Sequence, residues 1–419
     1  MEQDLVRSKE CRSAGTSGWL LAVVVGVLLF PITWTSLMLP RPVWDEALVH
    51  LATARRFGPG LPALELLRSY PSAVGPFFYL LFGNLGALFH YHIIGLRLLV
   101  FLFAALNCWL FQWLLAHDSA DRSERCRSAG TTQNIGAVLV LVTFPYFLTL
   151  SGLFLSEQPA LSFALAALLV YLKGRSWSIV LCLVLTALAL LTRQHFLFLP
   201  VVLAANELLT PDGGRAVRRA LLLLTPIVVV VPLVIIWQGL VPPPLQWRHR
   251  PEFGIANLSS VLLWIGFYFW PWLVQALTEE RGRNRWWWSG LALVAVPIAL
   301  AAPVPGAGIV RTLLGLLPGP AGTVGAVILA VLGAAELITT STSLRSQTPR
   351  ARVAVLSVLC LLVVLSCAGP TLFERHFLTL YPFLLLAAGP LVRPRPALLW
   401  SILFQLPLAV VQIVRLAGK

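Results

Sequence analysis

Charge is what this sequence lacks. Only 11% of its 419 residues are Asp, Glu, Lys or Arg, against 58% hydrophobic residues and a mean hydropathy of +0.83. A soluble domain carries about 25% charged residues, so this chain cannot clothe a water-facing surface. A soluble enzyme, a disordered regulator and a secreted disulfide scaffold are excluded. Cysteine is scarce too: six residues with no CxxC, Cys11 and Cys126 in basic polar segments, and Cys108, Cys182, Cys360 and Cys367 in apolar runs. That pattern suits neither a disulfide framework nor a zinc site, and the sequence contains no HExxH to hold a metal. No basic stripe interleaves with aromatics, so the net charge of +14 does not point to nucleic acid.

Long apolar runs are what is abundant. They fall at about 18–38, 93–116, 134–152, 158–172, 177–192, 196–209, 220–240, 258–276, 286–302, 322–341, 353–368, 376–392 and 397–415. Such runs suit a hydrocarbon core about 30 Å thick. The expected fold is all-α, one integral membrane domain over 1–419 with about 11–13 transmembrane helices. The first run, Trp19 to Met38, exceeds a signal-peptide core and lacks a small-residue cleavage site, so it reads as a span. Pro76 to His92 is shorter and reads as a juxtamembrane or re-entrant helix. With the N-terminus in the cytoplasm, 19 of the 31 basic residues fall on inner segments and 10 on outer ones. Every inner loop is basic, as the positive-inside rule requires. Residues 39–92 then form an outer loop carrying juxtamembrane helices. One repeat is visible: Arg7–Thr16 recurs as Arg122–Thr131, both copies on the cytoplasmic side. It reads as a duplicated basic segment near lipid headgroups.

The outer face gathers the chemistry. Asp45-Glu46 follows Pro40-Arg-Pro-Val-Trp44, where proline ends a helix and tryptophan anchors at the interface. Glu46 to Arg56 reads as an amphipathic helix. Glu157 lies between two runs with almost no loop, where a carboxylate needs a partner or a watery cavity; a helix-capping acid is the plainer alternative. Arg193-Gln194-His195, Arg248-His249-Arg250 and Glu374-Arg375-His376 face the same side. Guanidinium groups there suit a phosphate, which they bind through two oxygens, or they snorkel to lipid headgroups. Glu374 and Arg375 alternatively form a structural ion pair. His249 and His376 are secondary candidates, more often structural at such positions. Glu336, inside the tenth run, is a lone intramembrane acid and hints at transport.

The order of these pieces resembles the C-type (GT-C) glycosyltransferases, multispan enzymes that use polyprenyl-phosphate sugars. The resemblance is carried by Trp44 to Arg56, Tyr70 to Leu80, Gly95 to Leu99, Ser156 to Ala160 and Phe373 to Pro382. Protein O-mannosyltransferases and lipid A aminoarabinose transferases share such features. Within the superfamily the chain is most similar to the dolichyl-phosphate-glucose α-1,2-glucosyltransferases, through Asp45-Glu46 with Arg55-Arg56, Arg193-Gln194, Trp237 to Leu240, and Glu374-Arg375 with Phe377. The segment near Arg248–Asn257 departs from that family's outer loop, so its acceptor specificity is not carried over.

The resemblance implies an inverting hexose transfer at the outer or lumenal face, with Asp45 as general base. Glu46 and Glu157 would orient the acceptor or bind a divalent cation. Arg193, Arg375 and Arg248 would hold the donor phosphate, with Gln194, His249 and His376 in support. The implied partners are the bilayer, a polyprenyl-phosphate sugar and a glycan, lipid or protein acceptor. The composition favours a bacterial plasma membrane; a eukaryotic chain would sit in the endoplasmic reticulum. The rival reading is a transporter or flippase for an anionic lipid or solute. The topology has a direct test: a cysteine at position 45 should react with a membrane-impermeant maleimide from the outer face only, and labelling only from the cytoplasm would overturn it.

Overall fold

The structure, a computed structural model, describes residues 33–43, 45–117, 127–174, 178–210, 214–247, 249, 251–279, 308–318, 320–342, 348–368, 372, 374–388 and 395–417. Most of the first apolar run, the ninth run, the first repeat copy and residues 122–126 of the second lie outside them.

The described residues are all-helical. A π-helical turn, Glu46–His50, runs into α1 (Leu51–Phe57), followed by α2 (Leu64–Ser69), α3 (Pro76–Leu88) and α4 (Ile93–His117). Next come α5 (Arg127–Thr143), α6 (Pro145–Ser151), α7 (Glu157–Leu172), α8 (Ser178–Thr192), α9 (Phe198–Leu208), α10 (Gly214–Leu224) and α11 (Val231–Trp237). The remainder are α12 (Ile255–Glu279), α13 (Ile309–Gly315), α14 (Ala321–Thr342), α15 (Pro349–Ser366), α16 (Phe377–Ala388) and α17 (Arg395–Ala417). A lone β-bridge joins Glu252 to Ala368.

The chain is an integral multi-pass membrane protein. Among the described residues five helices or continuous helical runs are long and apolar enough to cross a bilayer: 93–116, 214–237, 321–338, 349–366 and 397–415. Other apolar runs become shorter helices. The run at 134–152 breaks into α5 and α6, which meet at 71°. Pro145 causes the break: the residue before a proline is driven out of the helical region, and Phe144 sits at φ −57°, ψ 123°. As expected of a segment too short to span, Pro76–Leu88 is a 13-residue helix.

Two apolar cores organise the molecule. The larger one holds the aromatics of α12 and α16; Phe144 stacks on Tyr381 with centroids 4.1 Å apart. The smaller one joins α1, α3 and α4 through Phe57, Tyr70, Phe78, Tyr79, Phe82, Phe154 and Trp237. The Trp237 indole donates to the Leu67 carbonyl at 2.7 Å. This aromatic plug seats the 45–92 segment firmly on the end of the bundle, so the residues at its start have fixed positions.

Helices α12 and α14 touch backbone to backbone. A Cβ on Gly266 would lie 1.8 Å from the Leu329 carbonyl oxygen, and one on Gly333 would lie 1.8 Å from that of Leu262. Small residues permit such close approach between membrane helices. Gly266→Ala and Gly333→Ala should therefore each force the helices apart and destabilise the protein by about 1–3 kcal/mol, as overpacking does. The check is a lower melting temperature in detergent than for Gly315→Ala, whose added Cβ meets nothing within 4 Å.

Candidate functional site

Glu46 and Arg97 come first, because they position everything else. Both side chains are fully buried. Arg97 Nε donates to Glu46 Oε1 at 3.0 Å, and Nη2 donates to Oε2 at 2.6 Å. The backbone N–H groups of Val43 and Phe154 donate to the same carboxylate, at 2.9 and 2.5 Å. Arg97 donates in turn to the carbonyls of Leu37, Leu39 and Arg41. The pair thus ties the 37–43 segment, the π turn, α4 and the approach to α7 together. With four donors on its two oxygens and no exposure, Glu46 anchors these segments and turns no free lone pair toward an acceptor or a cation.

Asp45, the next residue, points elsewhere. Its Oδ2 lies 2.7 Å from Arg375 Nη2, and its side chain is 36% exposed. Arg375 also approaches Glu157, Nε to Oε1, at 3.9 Å. Glu157 is 2% exposed and receives Arg193 Nη2 at 2.5 Å. Arg193 Nε donates to Ser156 Oγ at 2.8 Å, which orients the guanidinium. The second Glu157 oxygen, Oε2, is buried with no hydrogen-bond partner. Asp45, Glu157, Arg193 and Arg375 therefore meet from four distant segments, two acids against two guanidiniums. Burial opposes ionisation of Asp45, but the Arg375 charge and hydrogen bond, aided by His50 and Arg193, hold its carboxyl below the usual aspartate range.

Glu374 and Arg375 do not pair with each other. Glu374 turns into the core, where it accepts from the Tyr268 hydroxyl at 2.5 Å and the Val310 N–H at 3.2 Å. Burial pushes its carboxyl up to about 7, against those hydrogen bonds. Arg375 is thereby left to face Asp45.

The secondary residues gather nearby. His376 belongs to the same 3-10 turn as Glu374 and Arg375. His195 meets Thr379 Oγ1 at 3.0 Å, and its ring centroid lies 6.4 Å from that of His376. The Gln194 amide nitrogen is buried without a hydrogen-bond partner. Arg248 lies outside the described residues, as do Trp44 and Phe373. Glu336 is buried within α14, apart from the named ion pairs of the site.

Sequence reasoning held Arg97 and Ser156 only as members of the segments that carry the resemblance and gave neither a part of its own. Arg97 stood in the sequence as one more outer-face arginine, and only its lack of exposure reveals its work. As for cations, no group of three or more His, Cys, Asp or Glu among the described residues could hold a metal ion. Asp45 and Glu157 are the acids at hand, and a divalent ion between them would face two guanidinium charges.

No protein-family model and no curated protein matches the chain. Among solved structures it is similar to ArnT from Cupriavidus metallidurans in the apo state, at 16% identity over 95% of this chain and 78% of that one, with a TM-score of 0.42. The same holds for ArnT from that organism bound to undecaprenyl phosphate, at 17% identity, the same coverage and a TM-score of 0.42. This is a distant likeness of chain course.

The anchor can be checked apart from any chemistry. Removing one partner of a buried ion pair costs about 3–5 kcal/mol, since the other charge is stranded. Arg97→Met should therefore abolish monodisperse, thermally cooperative protein in detergent, whereas Asp45→Asn at the neighbouring position should leave it intact. Equal stability of the two variants would show that Glu46 is no anchor.

Proposed function

We propose that this chain is a membrane glycosyltransferase of the GT-C type. It moves a hexose from a polyprenyl-phosphate donor to an acceptor hydroxyl at the outer face, with inversion at the anomeric carbon. The observation that supports this is the convergence of Asp45, Glu157, Arg193 and Arg375 at one place on a bundle of membrane helices.

The geometry supports the following chemistry. Asp45 accepts the acceptor's proton as the acceptor oxygen bonds to the anomeric carbon. The bond from that carbon to the phosphate oxygen breaks, and its electron pair leaves with the polyprenyl phosphate. Arg375 and Arg193 stabilise the charge gathering there, in a setting where fixed donors act strongly because water is scarce. The unpartnered Glu157 Oε2 takes a hydrogen bond from the acceptor and so orients it. In the ligand-free site Arg375 rests on Asp45. A donor phosphate competes for the same fork, and as Arg375 turns toward it the Asp45 carboxylate regains proton affinity. The base thus becomes effective when the donor arrives.

The test is transfer of labelled sugar from a polyprenyl-phosphate donor by purified protein in detergent. Asp45→Asn keeps size and removes the base, so turnover should fall by more than about 100-fold. Arg375→Lys keeps the charge and loses the fork, lowering turnover while retaining part of the donor binding. Arg375→Ala should weaken both. Full-rate transfer by Arg375→Ala would overturn the phosphate assignment. Donor-independent lipid or solute flux in liposomes, with no transfer, would favour the transporter instead.

A further inference from the structure

The start of α7, which carries Glu157, lacks the usual hold on a helix end. Ser156 stands at the N-cap, where a serine hydroxyl ordinarily accepts from the N–H two or three residues on. It makes no such bond. Its oxygen accepts from Arg193 Nε at 2.8 Å instead. The third residue of the helix is Pro159, which has no N–H to be capped. The sequence Ser156-Glu157-Gln158-Pro159 thus releases the capping hydroxyl to the guanidinium that also meets Glu157. The turn is fixed from outside the helix.

Gln158 makes the connection. Its Nε2 donates to the Phe147 carbonyl at 3.1 Å and to Ser151 Oγ at 3.2 Å, both on α6. A carbonyl only accepts, so this contact sets which way the amide faces. Oε1 then turns to α4, where Asn107 Nδ2 donates to it at 2.8 Å and to the Gln158 main-chain carbonyl at 3.0 Å. Asn107 Oδ1 accepts from the Ser162 hydroxyl at 2.8 Å, one turn further along α7. Both amides are fully buried, and each of their nitrogens and oxygens has a partner. On the other side of Ser156 and Glu157, the Phe154 N–H is held by Glu46. The two site residues lie between these fixed points.

We propose that Asn107 and Gln158 are positioning residues for the site: their amide clasp across α4, α6 and α7 holds Ser156 and Glu157 where they aim Arg193 at the donor phosphate. The inference rests on the reading of Arg193 and Arg375 as the phosphate-binding pair. Glu157 Oε1 receives Arg193 and lies 3.9 Å from Arg375, so a shift at the start of α7 displaces both guanidiniums. Polar side chains that bond across membrane helices also hold the helices together, and an apolar replacement of the whole clasp tells the two roles apart.

Removing one amide strands the other, whereas replacing both with apolar side chains of similar size leaves no unsatisfied group. Ser162 then turns to the carbonyl of position 158, 3.0 Å away, and Ser151 keeps its bond to the Phe147 carbonyl. Asn107→Leu alone should therefore lower the melting temperature in detergent, and Asn107→Leu with Gln158→Leu should restore it. The restored double variant should still bind undecaprenyl phosphate about 10-fold more weakly than wild type and lose about 10- to 100-fold in turnover, because a misplacement of about 1 Å can cost that much. Wild-type affinity and turnover in the stable double variant, with weak binding of the same lipid phosphate by Arg375→Ala, would overturn the positioning role alone. Wild-type affinity in Arg375→Ala would instead bring down the phosphate reading beneath it. Should the double variant stay unstable, Gln158→Met decides. It keeps the side-chain length and the main-chain carbonyl that Asn107 holds, and its affinity should fall by about 3-fold or more; wild-type affinity there overturns the proposal.

Discussion

The buried pair of Glu46 and Arg97 is the constraint from which the site is built. Taking two charges out of water is expensive, and their attraction repays it only when the remaining lone pairs and N–H groups are also satisfied. Here they are: two backbone N–H groups complete the carboxylate, and three carbonyls complete the guanidinium. Those five backbone groups belong to segments with no regular partner of their own. The ion pair therefore does for the 37–43 strand of chain and for Phe154 what a helix or sheet does elsewhere. Asp45 is one bond removed from this anchor, and its position follows from it.

The site itself is balanced rather than charged. Asp45 and Glu157 offset Arg193 and Arg375. In surroundings this dry, an unbalanced set would lower its own charge by shifting proton affinities. Arg375 is shared between Asp45 and Glu157, so the two acids are coupled through one guanidinium.

Much of this was legible in the sequence, and the parts that were not have physical reasons. Composition alone gave a helical membrane protein, and the clustering of acids and arginines on one face follows from the alternation of basic loops. The division of labour within Asp45-Glu46 was hidden, because adjacent residues on a turn point different ways and nothing in their order says which is buried. The α-helical period assigned to Glu46–Arg56 also fails at its start, where Glu46–His50 forms a π turn, which leaves no signature in hydropathy. Run length misled at 134–152, where Pro145 bends one apolar stretch into two helices. Hydropathy measures how apolar a stretch is, and it is blind to whether the chain turns within it.

The two charged dipeptides of the site share one construction. In Asp45-Glu46 the second residue is sunk into the protein and saturated by Arg97, while the first meets Arg375. In Glu374-Arg375 the first residue is sunk onto Tyr268 and Val310, while the second faces the pocket. Each working side chain thus sits next to an anchored acid and inherits its fixed backbone. This explains how two groups on short helical turns from opposite ends of the chain hold a 2.7 Å contact. The two anchors differ in kind: Glu374 is secured by neutral donors and burial, Glu46 by a guanidinium charge.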